Sequence, residues 1–361
     1  MLERDQTLPA PQPNAYVRDT WYPATWSRDV TDKPIQRRIL GELVALYRAE
    51  DGEIHALEDA CPHRLAPLSM GRVRGSALEC GYHGLTFDGA TGRCVRIPGQ
   101  KSIPANAKVR SFPVFEKMGL IWIWMGNPAL ADPAKIYDLA QFSDPAWNAV
   151  EGDALHIGCN YLNLADNLCD PAHVSFVHLS TLGSSAGEEI PVETEQRRDD
   201  YLVTWRWIID APAIPLFQKF GNFTGHVDRW HYYHYHAPSI AVIDFGSAAT
   251  GTGAPEGKRD DCIQIFACHF ITPVDENNCI DHWLYVKNFQ ADDDTNRRLS
   301  DQFRIAFNED KEILEAIHQN EREPRTRRQL RIAIDGAPIR MRRMVDRIIK
   351  QEKAEPMAAI A

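Results

Sequence analysis

Two short runs in the sequence carry paired metal-binding side chains. They are Cys61-Pro62-His63 and, after sixteen intervening residues, Cys80-Gly81-Tyr82-His83. Two thiolates can hold one iron of a [2Fe–2S] cluster and two imidazoles the other, which raises the reduction potential above that of an all-cysteine cluster. The same four residues could instead close a tetrahedron around structural zinc. The flanking residues favour the cluster. Pro62 and Arg64 adjoin the first ligands, and Gly81, Tyr82 and Gly84 surround the last, allowing close backbone approach to cluster sulfurs. Cys94 falls eleven residues past His83 and reads as structural.

A second set follows in the run NLCDPAHVSFVH, Asn167 to His178. Buried histidines are often hydrogen-bonded core residues, so the run by itself leaves two readings open. Its spacing, Asn167-x2-Asp170-x2-His173-x4-His178, also suits a mononuclear Fe(II) site, in which two histidines and one carboxylate leave positions open for O2 and substrate. His173 and His178 would lie about 140° apart on an ideal helix. Both reach one ion only if the segment bends or unwinds, and Pro171 marks a place for that. Asp170 falls on roughly the same face as His173, where it can hydrogen-bond that ring. Helix capping before Pro171 is its plainer role.

The third ligand has to come from far away. The stretch DQFRIAFNEDKEILEAIHQ offers Glu309, Asp310, Glu312 and Glu315. Phe303, Phe307, Leu314 and Ile317 make one helical stripe that includes Asp310, with Glu309 about 100° away on the flank. A carboxylate in an apolar stripe is costly unless it is paired or binds metal, which selects Asp310. The run Asp292-Asp293-Asp294 reads as a solvated loop.

These residues need elements to hold them. At 361 residues the chain has room for two domains. WYPATW (21–26), QRRILGELVALYRA (36–49), EIHALED (53–59) and GLIWIWMG (119–126) read as strands of a small β domain, with Gly41 and Asp51-Gly52 as turns. NPALADPAKIYD (127–138) is the candidate boundary. Beyond it, 231–246, 262–274 and 280–289 each read as one strand, and the glycine-rich 247–261 as a loop. The last sixty residues read as helical, with Met341, Met344, Val345, Ile348 and Ile349 at amphipathic spacing. On strand HYYHYH, His234 and His236 share a face with Tyr232, while His231, Tyr233 and Tyr235 share the other. One face is expected to line a pocket and the other to pack on the sheet, a second metal site being the alternative.

Composition narrows the classes. The net charge of −10 disfavours nucleic acid and anionic membrane as partners. The N-terminal MLERDQTLPAPQPN has no apolar core of a secretory signal, and GLIWIWMG is too short to span a bilayer. A cytoplasmic enzyme is expected, in which eight cysteines are not a disulfide framework.

The cluster loops resemble those of Rieske non-haem iron oxygenases. Respiratory-chain Rieske proteins carry an extra cysteine in each loop, which this sequence lacks. The resemblance runs along nearly the whole chain, to oxygenase components of the vanillate O-demethylase and dicamba monooxygenase type. NPALADPAKIYDL, DRW (228–230), the EDxxxLE pattern at Glu309-Asp310 and the ending IAIDGAPIRMRRMVDRII carry it. LCDPAHVSFVH, with Pro171 and Phe176, and HYYHYH depart from it.

The resemblance implies an α+β chain. An N-terminal all-β Rieske [2Fe–2S] domain would occupy 1–128 (core about 17–126), and an antiparallel-sheet-and-helix catalytic domain of helix-grip type 129–361. It implies a [2Fe–2S] cluster on Cys61, His63, Cys80 and His83, and Fe(II) on His173, His178 and Asp310. Asp170 and Asn167 would belong to the catalytic machinery, Asp170 linking His83 of one chain to His173 of the next in a homotrimer. His231 and His269 match by position two polar substrate contacts. The expected partner is a flavin- and iron–sulfur-containing NAD(P)H reductase, or a reductase plus ferredoxin, because the chain has no dinucleotide fingerprint. The expected reaction is O2-dependent oxidation of an aromatic, mainly carboxylate, substrate, with O-demethylation of a methoxybenzoate to a phenol and formaldehyde foremost. Ring, methyl or N-methyl hydroxylation is the alternative, and a non-catalytic electron carrier a distant one.

Overall fold

The structure is a computed structural model that describes residues 16–221, 223–324 and 329–358. The charged N-terminal run at 1–14 and parts of the helical ending, 325–328 and 359–361, lie outside them. The chain divides into two compact units. One comprises Tyr16–Asp138 with Thr272–Glu276; the other takes Leu139–Ile271 and the chain from Asn277 on. The connector 127–138 therefore packs with the first unit.

The first unit is built of short strands. A three-stranded sheet takes Trp21–Trp26 (β1), Val114–Lys117 (β10) and Leu120–Trp124 (β11), with β11 between the other two. A second sheet orders Ile35–Ile39 (β2), Glu42–Arg48 (β3), Ile54–Glu58 (β4) and Ser111–Phe112 (β9). The stretch 36–49 is thus two strands, turned at Leu40-Gly41, where both residues have positive φ. The third sheet orders Arg72–Arg74 (β5), Ala77–Glu79 (β6), Thr86–Asp88 (β7) and Cys94–Arg96 (β8), and it carries the second cysteine–histidine loop.

The second unit holds one seven-stranded antiparallel sheet, in the order β12 (Asn148–Ile157), β18 (Asn278–Lys287), β17 (Cys262–Asp275), β16 (Ile240–Ala249), β15 (Val227–His236), β14 (Tyr201–Ala211), β13 (Glu193–Arg198). The stretch 231–246 is a hairpin rather than one strand. Ala237-Pro238-Ser239 turns it, because a proline cannot donate to the ladder, and His231 pairs with Phe245 in register. The expected loop at 247–261 begins later than its composition suggests, since β16 runs to Ala249.

Among the described residues six α-helices belong to this unit: Ala140–Ser143 (α1), Tyr161–Asn167 (α2), Val174–Val177 (α3), Pro215–Phe220 (α4), Asp293–Arg322 (α5) and Gly336–Ala358 (α6). α5 packs on β12 and α2, and α6 on α2, β13 and β14. The acidic run at 292–294 is the start of α5, not a loop. The Asp292 side chain accepts from the Thr295 N–H at 2.7 Å, and Asp293 and Asp294 fill the first turn, where they complement the positive end of the helix dipole. Along α5 the buried stripe is Leu299, Phe303, Ala306, Phe307, Asp310 and Leu314, while Ile317, expected in it, is exposed. Among the described residues, 323–324 and 329–332, expected to be helical, lie outside the helices. Among the described residues no helix is long and apolar enough to cross a membrane.

Candidate metal centres and substrate pocket

The two cysteine–histidine loops have the same backbone design. Cys61 donates its N–H to the Ala66 carbonyl and its own carbonyl accepts from Leu65; Cys80 does the same with Leu85 and Gly84. The fourth residue after each cysteine takes a positive φ, 55° at Leu65 and 71° at Gly84. Glycine suits the second loop for a further reason, because a Cβ there would press on Pro98. A Cβ at Gly81 would come within 2.7 Å of the Met70 carbonyl, so that glycine lets the two loops approach each other.

Within the loops the donors sort by type. Cys61 and Cys80 are buried in a core of Tyr47, Leu57, Leu68, Leu78 and Phe87. Burial first, and then the neighbouring Cys80 thiol, push the Cys61 thiol up to about 11, while the His63 N–H points at its sulfur and opposes this. His63 and His83 lie outside, exposed, with ring centroids 4.7 Å apart. Two thiols inside and two imidazoles at the rim fit the two ends of a [2Fe–2S] cluster. Cys94 is buried with its sulfur against the Arg96 carbonyl.

In the second unit the segment between α2 and β13 breaks as the histidine spacing requires. α2 ends at Asn167, and His173 and His178 cap the two ends of the four-residue α3. His173, His178 and Asp310 each offer one ligand atom, and these lie within 4.8 Å of one another. His178 Nε2 is 3.1 Å from Asp310 Oδ2, and His173 Nε2 is 3.5 Å from Asp310 Oδ1. Both imidazoles turn Nε2 inward because their Nδ1 atoms are held elsewhere. The Asp170 main-chain carbonyl takes that of His173, and Glu309 takes that of His178 at 2.9 Å. The expectation for Asp170 is corrected here: its carbonyl, not its carboxylate, orients the ring. Its carboxylate accepts the Ala172 N–H at 2.7 Å, closing the turn that precedes α3 rather than capping the helix.

Electrostatics favour a bound cation. Burial works to raise the Asp310 pKa, but His173, His178 and the Asn167 amide at 2.9 Å outweigh it and hold the group below the usual carboxylate range. Burial lowers His173, whereas on His178 the two acidic partners overcome burial and raise it. A buried carboxylate between two converging imidazoles is the donor set that a non-haem iron requires, and the residues fit that ion.

Beside this set opens a pocket walled by Leu182, Ile243, Phe245, Phe303 and Phe307. His231 and His269 both line it, as do Asn167 and Tyr233. His269 is anchored through Nδ1 to Asp281 at 2.7 Å and meets the Phe307 edge at 4.8 Å. His231 Nδ1 has no hydrogen-bond partner among the described residues, and burial pushes this ring well below its ordinary pKa. Among the described residues the other face of β15 joins no metal-ligating group. Tyr232, His234 and His236 form an aromatic stack with Tyr201 and Trp205, His236 lying 4.4 Å from Tyr201 and parallel to it.

Sequence alone does not single out Glu309 and Asp281 as the holders of these rings. The only sign of Glu309 was its position next to Asp310, and Asp281 gave none, because its pairing with His269 depends on the adjacency of β17 and β18.

A cluster-binding β unit, joined in one chain to a sheet-and-helix unit with a two-histidine, one-carboxylate set, defines a Rieske-type oxygenase component. Family models agree: the Rieske [2Fe-2S] domain matches residues 20–113, and the vanillate O-demethylase oxygenase C-terminal domain matches 157–351. The chain is 37% identical to the putative toluene-4-sulfonate monooxygenase system iron-sulfur subunit of Comamonas testosteroni, over 93% of this chain and 98% of the relative. It is 33% identical to the vanillate O-demethylase oxygenase subunit of a Pseudomonas strain, over 96% and 98%. The crystal structure of dicamba monooxygenase with non-heme iron and dicamba superposes with a TM-score of 0.77 at 33% identity, covering 94% of this chain and 99% of that one. The chain belongs to the vanillate O-demethylase family of Rieske oxygenase components. It is an oxidoreductase whose cofactors are a [2Fe–2S] cluster and non-haem iron.

Proposed function

We propose that this oxygenase O-demethylates a methoxybenzoate, giving a phenol and formaldehyde. The observation that carries the reading is the apolar, phenylalanine-walled pocket that shares His173, His178 and Asp310 with the metal set. In this reading Cys61, His63, Cys80 and His83 hold the cluster, and His173, His178 and Asp310 hold Fe(II). When bound, the cluster supplies electrons one at a time and the iron activates O2.

The chain's own residues do the rest. Phe245, Phe303 and Phe307 wall the ring off from water. His269, fixed by Asp281, and His231 hold the polar substituent so that the methoxy carbon faces the iron set. Asn167 steadies Asp310, and Glu309 and the Asp170 carbonyl keep both Nε2 atoms free for the metal. Once hydroxylated, the methoxy carbon is a hemiacetal, which collapses to phenol and formaldehyde without further catalysis.

Several finer points belong to the same reading. The functional domains are taken as 1–128 and 129–361, with 129–138 packing on the first compact unit. Electrons come from NAD(P)H through a flavin- and iron–sulfur-containing reductase, directly or through a ferredoxin. The chain works in the cytoplasm as a homotrimer, in which the Asp170 carboxylate joins His83 of the neighbouring chain. The exposed Leu65, Met70 and Tyr82 at the cluster loops support a covering partner there. Similarity to a toluene-4-sulfonate monooxygenase subunit favours a second reading, hydroxylation of a ring substituent.

Iron-loaded protein with a surrogate reductase and NADH, offered a panel of methoxybenzoates and methyl-substituted analogues, tests this. Formaldehyde equal to phenol is the expected result. A product sixteen mass units heavier without formaldehyde moves the enzyme to the second reading.

A further inference from the structure

The strand HYYHYH departs from the family resemblance, and the fold leaves one of its tyrosines unaccounted for. Tyr235 donates its hydroxyl to the Pro238 carbonyl, and the Tyr232 hydroxyl accepts from the Trp207 indole N–H at 3.0 Å. Tyr233 is buried, 6% exposed, yet its hydroxyl meets no hydrogen-bond partner among the described residues. Its side chain lines the pocket beside the metal set.

Register fixes its surroundings. Tyr233 stands two residues past His231 on β15 and pairs with Ile243 on β16, which pairs with Ala267 on β17. His231, Tyr233, Ile243, Phe245, Ala267 and His269 thus share one sheet face, and all of them line the pocket. Of the polar groups on that wall the tyrosine has the longest arm, and the charges of Asp310 and Asp170 both bear on it. The phenol keeps its proton. Burial pushes its pKa up; Arg206, the register partner of His231, opposes this, and Asp310 and Asp170 add to it. A buried hydroxyl without a partner costs free energy that a bound acceptor recovers.

We propose that the Tyr233 hydroxyl donates a hydrogen bond to the ether oxygen of the bound substrate, placing the methyl at the metal set and favouring methoxy over alkyl substituents. The inference rests on the reading of the pocket as a methoxybenzoate site and names the residue that tells an ether from a hydrocarbon of the same shape. The methyl carbon has to face the metal set, and the atom one bond behind it is the ether oxygen. That oxygen accepts hydrogen bonds and cannot donate them, so its partner has to be a donor such as this phenol. An alkyl analogue leaves the buried hydroxyl unpaired, and a site built around a hydrogen bond rejects it for that reason.

The test is calorimetric binding to the iron-loaded holoenzyme, without reductase. The probes are 2-, 3- and 4-methoxybenzoate, each against the ethylbenzoate of the same substitution, in which a methylene replaces the ether oxygen. For the isomer that binds most tightly, Tyr233→Phe is expected to lower the methoxy-to-ethyl affinity ratio about three- to tenfold. Ethylbenzoate binding and stability in denaturant melts should not change, because no protein group loses a partner. A ratio unmoved by Tyr233→Phe overturns the proposal, as does equal weakening of both ligands, the mark of a structural role. The underlying reading fails in a different way. If no member of any pair binds the wild-type protein, the pocket is not a benzoate site and the inference falls with it. If a methoxybenzoate yields formaldehyde while the ratio stays unmoved, the reading stands and the Tyr233 proposal alone falls.

Discussion

Glu309 and His178 form a hydrogen bond of 2.9 Å that sets the geometry of the metal set. Glu309 precedes Asp310 on α5, so one turn of helix supplies both the carboxylate that faces His178 Nε2 and the one that holds Nδ1 of the same ring. Ser180 fixes the other oxygen of Glu309 at 3.0 Å.

Removing Glu309 should therefore loosen iron without disturbing the cluster. Glu309→Ala is expected to raise iron loss to a chelator by roughly 10- to 100-fold. Glu309→Gln, which still accepts from Nδ1, should fall between. Chelator competition followed at the iron, with the cluster absorbance as internal control, measures it; equal loss from all three proteins would mean the contact is idle.

The C-terminal helix reaches the same site through α2. Arg342 on α6 binds Asp166 with two nitrogens, at 3.0 and 2.6 Å, and Asn163 at 3.0 Å. Asn167, the next residue on α2, holds Asp310. Burial raises the Asp166 pKa even against the pull of Arg342. Arg342→Met leaves that acid unpaired and should cost roughly 3 kcal/mol of stability, seen in denaturant melts. Iron occupancy should fall with it, whereas a purely local ion pair would leave occupancy intact.

Acid sensitivity has a source on the outer face of β15. Burial, then Arg198 and His234, hold His236 at about 4 against an ordinary 6.5. The unfolded chain takes up this proton as pH falls below 6.5 and the folded one only near 4, so stability drains away across that window. His236→Phe keeps the stack on Tyr201 and should flatten the loss. Chemical melts at pH steps from 7 to 4 compare the two proteins, and parallel curves would assign the acid limb to other groups.

Much of the site could be read from the sequence because its chemistry depends on residue types at fixed short spacing. The two cluster loops and the costly carboxylate at Asp310 stand out locally, whereas the His173–His178 run leaves two readings open until it is set beside the family resemblance. The fold class was legible for the same reason, from alternating strands and the α5 stripe. What escaped depends on register across the sheet. Arg206 meets His231, and Asp281 meets His269, only after strands far apart in sequence have paired. The 231–246 hairpin reads as one strand in the sequence because alternation continues on both sides of Pro238. The acids at 292–294 looked like a loop because a helix cap and a solvated run have the same composition.

The central claim is that His173, His178 and Asp310 hold the iron at which substrate is oxidised. A single-turnover experiment addresses it most directly. Chemically reduced wild-type protein and Asp310→Ala, each with an intact cluster by absorbance, are mixed with O2 and a methoxybenzoate, without reductase. Product from the wild type and none from Asp310→Ala, although its cluster reoxidises, is the predicted result. Equal product from both proteins would contradict the account.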